Sequence, residues 1–412
     1  MILLKSVLCG KEVSDVLIDG NLFKRIAPAG SFEVPGGTEI LDAGGLAILP
    51  AFYNAHSHSA MVLFRGCADD LPLNRWLSEY IWPRERKLSP ADVYAASRYA
   101  ILEMIRSGTV FFADMYWHRA ETIRAALEMG VRAAVGVTFS DGLSSDEEKN
   151  VLFLKEHALE YKGLVHLSVA AHSIYTVSAP LLVRAAALAE ELNLPFQIHL
   201  SETAEEASKS LTPTNGKSPV AYLDSLNVLS PHTVAAHLLH VSDEDLCILK
   251  ARGVTCVHNP CSNMKLANGT FQMRKMLANG IRVALGTDGA ASNNNLDMRE
   301  EMKFASLWAK AVSGDPELLP AEQVLEMATK NGAEAFSLNG GVIAEGKLAD
   351  ALLVSLDDSR LFPGDLVSNW VYAADSRAID TVICDGKILM LHKKIPREEK
   401  IIEEFRRLLE NK

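Results

Sequence analysis

The residues in this chain best able to do chemistry are histidines and carboxylates that recur at the ends of apolar runs. In Asn54-Ala55-His56-Ser57-His58 two imidazoles stand two apart. On an extended backbone that spacing turns both to one face, where they can grip one cation. His199, in His199-Leu200-Ser201-Glu202, and Asp288, in Leu285-Gly286-Thr287-Asp288-Gly289, end two further runs and add two N or O donors. Three neutral imidazoles and one carboxylate suit a single Zn2+, with Fe2+ and Mn2+ as the alternatives for such a donor set. Glu202 follows His199 closely enough to shuttle a proton without ligating the metal. The competing reading is a carboxylate opening the next helix in solvent, which suits the following Glu205 and Glu206 better. In VAAHLLH (234–240) either His237 or His240 is structural. His237 is assigned to orienting water or stabilising developing charge because it falls at the strand end. His258, Asp114 and Cys261 read as supporting residues.

To bring these groups together the chain needs elements that all end at one place. Eight β-rich runs occur, at 47–56, 109–115, 131–139, 164–172, 194–200, 233–240, 254–260 and 281–288, and their ends carry these residues and His172. Amphipathic stretches such as 89–108 and 178–193, with Ser-Pro starts and 3.6-residue apolar spacing, separate them. Repeated βα units of roughly 30 residues predict an α/β chain folded as a (β/α)8 TIM-type barrel, whose active sites form at the C-terminal ends of the strands. An open doubly wound sheet would want a GxGxxG loop after its first strand, and the sequence has none. Both chain ends instead carry short alternating strands broken by Asp19-Gly20, Gly36-Gly37 and Asp385-Gly386, which predicts one small β-sandwich domain built from the two ends. The expected division is 1–49 and 346–412 for that domain and 50–345 for the barrel, with a docking helix over 397–412.

Composition narrows the function. The 412 residues are 48% hydrophobic, enough for extensive cores, and 41 Lys plus Arg against 52 Asp plus Glu give a formal charge of −11. That sign argues against a nucleic-acid or anionic-lipid partner and for a small neutral or cationic substrate. No apolar run approaches the ~20 residues of a membrane span, and the first residues, interrupted by Lys5 and Lys11, read as a strand and not a signal peptide. Cys9, Cys67, Cys247, Cys256, Cys261 and Cys384 are scattered, so we expect reduced thiols and a cytoplasmic location. A homo-oligomer is left open.

Four stretches, PAFYNAHSH (50–58), IHLSE (198–202), HNPCSNMKL (258–266) and LGTDGAASNN (285–294), make the chain resemble the metal-dependent amidohydrolase superfamily. Within it, nearly the whole chain is similar to the 5-methylthioadenosine/S-adenosylhomocysteine deaminases and their 5′-deoxyadenosine-type relatives. The resemblance implies one Zn2+ per subunit on His56, His58, His199 and Asp288, with Glu202 as general acid/base and His237 beside the attacking hydroxide. Asp288 would also take a proton from water, and an adenosine derivative would become an inosine derivative and ammonia. Further implied contacts are Glu85 to the ribose hydroxyls and His172 to base or sugar, followed by Ser292 and Trp76. A purely structural alternative for Glu85 is an ion pair with Arg84, Arg86 or Lys87. One departure stands out: strand three carries Gly136, no arginine lies between Arg132 and Arg184, and the loop 140–150 is acidic. That ranks 5′-methylthioadenosine, 5′-deoxyadenosine and adenosine above S-adenosylhomocysteine. The same motifs also fit deaminases or chlorohydrolases of guanine, a pterin or an s-triazine, and a scaffold that has lost catalysis is the third reading.

Overall fold

A computed structural model describes residues 1–141, 146–208, 214 and 216–410. The loop 140–150 therefore lies partly outside the described residues, as do the last two positions of the expected terminal helix.

The first five strands, β1 (Ile2–Cys9), β2 (Glu12–Asp19), β3 (Leu22–Pro28), β4 (Glu39–Asp42) and β5 (Leu46–Pro50), precede the barrel. The barrel strands are β6 (Phe52–His58), β7 (Thr109–Asp114), β8 (Arg132–Phe139), β9 (Val165–Ala171), β10 (Phe196–Leu200), β11 (Thr233–His237), β12 (Thr255–His258) and β13 (Val283–Leu285). They pair in sequence order, all in parallel, and the two-residue β14 (Asp288–Gly289) then pairs with Ser57 and His58 of β6. Because β13 and β14 are consecutive pieces of one chain, that last pairing closes the barrel. Strands such as β7 and β8 are buried along their whole length, as expected where side chains fill the barrel on one face and meet helices on the other.

The chain ends join in one eight-stranded sheet, in which β15 (Ala351–Ser355), β16 (Ile379–Cys384) and β17 (Lys387–Met390) continue outward from β5. The sheet has its own core of Leu4, Val7, Val16, Ile18, Phe23, Ile48, Leu353 and Ile383. The hairpin β16–β17 turns at Asp385-Gly386, both with positive φ (51° and 70°), as a tight two-residue turn requires.

The apolar run at 47–56 serves both sheets. Leu46–Pro50 pairs with β15, whereas Phe52 N–H already donates to Gly108 O in the barrel, so the junction falls at Ala51. The helix Pro90–Arg106 starts on a Ser89/Asp92 capping box with proline in its first turn. It is capped by Ser107 and followed by Gly108, whose φ of 89° favours glycine and which packs against the Leu352 side chain of β15. The terminal helix Glu398–Glu410 docks on this barrel helix through Phe405, stacked on Tyr99 with ring centroids 4.1 Å apart. No helix among the described residues is long and apolar enough to cross a membrane.

One region departs from the βα rhythm. Between β6 and the helix at 90 the chain makes a 3-10 helix (Ser59–Phe64) and a run of helical turns through Leu73–Arg75, Trp76–Ile81 and Trp82–Glu85. The middle piece is a π-helix just ahead of Pro83, which has no N–H to donate; such widened turns recur at functional sites.

Candidate active site

The strand ends converge as the spacing predicts. His56 and His58 close β6 with ring centroids 4.9 Å apart, and His56 Nε2 and His58 Nε2 lie 3.5 and 3.2 Å from Asp288 Oδ1. His199, near the end of β10, brings its Nε2 to 3.2 Å from His58 Nε2. The outer atoms are held by the protein: His58 Nδ1 by Met115 O at 2.6 Å, His199 Nδ1 by His172 O at 2.6 Å, and Asp288 Oδ2 by the hydroxyls of Ser262 and Ser292 at 2.6 and 2.9 Å. With those contacts made, Nε2 of both histidines and Oδ1 of the aspartate point at one spot.

Those residues fit a divalent cation. Tetrahedral donors around 2.0–2.1 Å from Zn2+ stand about 3.3 Å apart, which is the spacing found here. His56 Nε2 is buried with no hydrogen-bond partner among the described residues, an orphaned lone pair aimed at that spot. Burial holds His56 down to about 4 and His199 well below the ordinary imidazole range, so both are neutral donors. His58, against its burial, is raised to about 9 by Asp288 and the Met115 carbonyl, and a bound cation would displace that proton. Burial opposes the Asp288 charge, but the facing His56 and His58 rings keep its carboxyl well below the usual range. His237 also brings a ring nitrogen within 4.8 Å of those of His56 and His199.

Glu202 lies beside the cluster, its Oε2 3.8 Å from His237 Nε2 and its Oε1 accepting from Asn268 Nδ2 at 2.8 Å. Burial raises its carboxyl above the ordinary value, against the pull of His237. It is buried in the site and is not a solvated helix start. His237 rather than His240 faces the cluster: its Nδ1 pairs with Asn263 Oδ1 at 2.8 Å, while His240 Nε2 meets Asn268 O at 2.6 Å. Of the two following glutamates, Glu205 is exposed as expected, but Glu206 is buried and accepts the Ser201 and Glu202 N–H groups.

A cleft of about 650 Å3, counted with its mouth, opens over the cluster and is walled by Trp76, Trp82, Tyr116 and Trp117. The aromatic lining suits a flat ring system. Glu85 and His172 both line it. Glu85 is approached by Trp117 Nε1 at 3.4 Å, and burial raises its carboxyl while Tyr116 and Trp117 oppose; it turns to the cleft and away from the charged loop. His172 Nδ1 meets Thr176 Oγ1 at 2.8 Å, and burial lowers the ring to about 3, so it enters the cleft as a neutral imidazole. Trp76 is on the wall, but Ser292 bonds Asp288 and Ser262 and so orients the carboxylate. His258 stacks on Phe271 at 4.3 Å behind the site, and Asp114 accepts from Ser59 N–H at 2.6 Å, both in supporting places.

Sequence reasoning missed the partners that hold the site. Ser262 and Asn263 fall within HNPCSNMKL, a motif whose polar density was a usable signal. Asn268, which donates to Glu202, and Tyr175 of the cleft carry no local signal.

A closed parallel barrel with a His-His-His-Asp cluster at its strand ends and an acid beside it defines a metal-dependent hydrolase. The chain belongs to the amidohydrolase family, which matches residues 47–389. Among curated relatives it is 43% identical to the 5′-deoxyadenosine deaminase of Methanothermobacter thermautotrophicus, covering 96% of this chain and 94% of the relative. It is 41% identical to the 5-methylthioadenosine/S-adenosylhomocysteine deaminase of Pyrococcus abyssi, over 95% and 93%. An adenosine deaminase of Xanthomonas campestris solved with bound zinc superposes with a TM-score of 0.93 at 29% identity, covering 100% and 99% of the two chains.

Proposed function

We propose that this protein is a zinc-dependent hydrolytic deaminase that converts an adenosine derivative, such as 5′-deoxyadenosine, 5′-methylthioadenosine or adenosine, to the inosine derivative and ammonia. The observation that carries the reading is Glu202: a buried carboxyl raised by burial, at the edge of a four-donor metal cluster and open to an aromatic-walled cleft. A leaving amine needs a proton, and this is the group able to give it.

His56, His58, His199 and Asp288 hold the metal in this reading. When bound, Zn2+ supplies Lewis-acid activation of water, lowering its pKa to about 7. Glu202 donates its proton to ring N1 of the purine, is reprotonated from the attacking water by way of Asp288, passes that proton to the departing amine and regains its own from the hydroxyl left on the reacting carbon. Asp288 Oδ1 accepts the proton of the attacking water, and His237, fixed by Asn263, orients that water and stabilises charge at the reacting carbon. Glu85 accepts bonds from the ribose hydroxyls, which favours a nucleoside over a bare base or a triazine. His172, neutral and held by Thr176, donates to or accepts from the base or sugar.

The cleft continues past Glu85 into an open arm lined by Arg119 and Lys149. Arg119 Nη1 is engaged by Asn150 Oδ1 at 2.9 Å and Lys149 by Asp146 at 2.7 Å. Arg86 lines the same arm and Arg119 meets a neutral amide, so ranking S-adenosylhomocysteine last rests on the sequence alone, on the lack of an arginine between Arg132 and Arg184 and the acidic run at 140–150. The division 1–49, 50–345 and 346–412 and a cytoplasmic location belong to the same reading, the latter supported by six unpaired cysteines.

The test is loss of the adenine absorbance band on 5′-deoxyadenosine, 5′-methylthioadenosine, adenosine and S-adenosylhomocysteine, with zinc-loaded protein. Turnover of the first three with S-adenosylhomocysteine slowest is expected; silence on all four, with turnover of guanine or a triazine, overturns the reading.

A further inference from the structure

We propose that Glu206 is a positioning residue for the acid/base carboxyl of Glu202, holding through two backbone bonds the left-handed turn from which Glu202 reaches the metal cluster. The inference rests on the deaminase reading, which gives Glu202 its role.

Strand β10 must change direction sharply after His199 for the next side chain to turn back over the barrel mouth. It does so at Ser201, a non-glycine residue with φ 52°, a conformation that persists only where its surroundings enforce it. Two sets of bonds enforce it. The Ser201 and Glu202 N–H groups donate to the two separate oxygens of Glu206, at 3.0 and 2.9 Å. The Ser201 carbonyl accepts from Leu239 and His240 N–H, at 3.0 and 3.1 Å. Those last two follow His237 and Leu238, themselves at φ 77° and 51°. The peptide at Ser201 thus ties the turn carrying Glu202 to the turn carrying His237, and Glu206 clamps it from behind.

Helix capping does not account for this carboxylate. The short helix Ala204–Ala207 already has its cap, since Thr203 Oγ1 accepts from Glu206 N–H at 3.2 Å. Both carboxylate oxygens face the turn, and the side chain is 2% exposed. A charge-bearing group is costly to bury, and two consecutive main-chain N–H groups need two acceptors with the bite of a carboxylate. Glutamine has one acceptor and would press its amide N–H2 against one of the donors, whereas aspartate keeps both acceptors one methylene short.

The experiment compares full-length, zinc-loaded wild type, Glu202→Gln, Glu206→Gln and Glu206→Asp on the best substrate of the panel, measuring kcat, KM and bound zinc. A misaimed acid slows chemistry without weakening binding, so Glu206→Gln should lose kcat on the order of 10²-fold while KM stays within about threefold and zinc stays at one per chain. Glu206→Asp should recover about tenfold of that loss. Undiminished kcat in Glu206→Gln overturns the proposal. So does a loss of kcat that only tracks lost zinc, or an aspartate variant as impaired as the glutamine one. Where Glu206→Gln does not fold, Glu206→Asp decides alone: kcat reduced about tenfold at constant KM supports the clamp, and wild-type kcat overturns it. A wild type inert on every adenosine derivative overturns the deaminase reading and the inference with it, whereas an active wild type with an undiminished Glu206→Gln overturns the inference alone.

Discussion

Strand β6 enters two buried polar clusters, one at each end, and they are built on opposite rules. At its start Tyr53 donates to Asp350 Oδ2, the oxygen that also accepts from Arg132 Nε at 2.8 Å. Asp385 N–H donates to Asp350 Oδ1 at 2.6 Å, and Arg132 reaches Asp385 as well. Both oxygens of that aspartate are satisfied by the chain itself, and the cluster joins barrel strands β6 and β8 to the small sheet. At the other end His56, His58, His199 and Asp288 present donor atoms to one another about 3 Å apart, and His56 Nε2 has no hydrogen-bond partner among the described residues. A closed network holds a fold together; an open one, held firmly from outside, is made to receive something. The same division separates the N-terminal and C-terminal faces of barrel enzymes in general.

The sharpest way to break this contrast is to remove a donor from the open cluster. Asp288→Ala should lose both bound zinc and at least about 10⁴-fold in kcat/KM, read by metal analysis and ammonia release, while the fold persists, since the structural loss is confined to the Ser262 and Ser292 hydroxyl bonds to Oδ2. Next in size, Glu202→Gln should cost about 10³-fold in kcat, roughly 4 kcal/mol, with zinc retained. The closed cluster should respond in the opposite way. Arg132→Met leaves Asp350 buried and without its cation, so denaturant melts should show a loss of about 3–5 kcal/mol while kcat per folded molecule is unchanged. Slower turnover at full zinc occupancy in that variant would erase the distinction between the two ends. The smallest effect belongs to Ser292→Ala, which removes one of two hydroxyls orienting Asp288; zinc should bind about tenfold more weakly, with the melt hardly moved.

Much of the site was legible because its signals are short and local. His-x-His needs only an extended backbone, and IHLSE and LGTDG each put their donors at the end of an apolar run whose repetition predicts the barrel. What escaped depends on contacts made across the fold. Glu206 sits in the run TAEEA, which has the charge pattern of a solvated helix start, and only the turn at Ser201 draws it inside. The π-helical turns at 76–81 follow no simple period, so the Trp76 and Trp82 wall was invisible as an element. The run 47–56 reads as a single strand, and Pro50 is the only local mark that one sheet ends and the other begins at Ala51. Ser292, expected to touch substrate, instead orients Asp288, a distinction that spacing alone cannot draw.

The central claim is that the open cluster holds a metal for a deamination in which Glu202 moves the proton. It is tested most directly by measuring bound zinc and ammonia release on the same samples of wild type and Glu202→Gln, with 5′-deoxyadenosine as substrate. We expect one zinc per chain in both and ammonia from wild type alone. Ammonia released by Glu202→Gln at the wild-type rate, or by wild type stripped of metal, would contradict it.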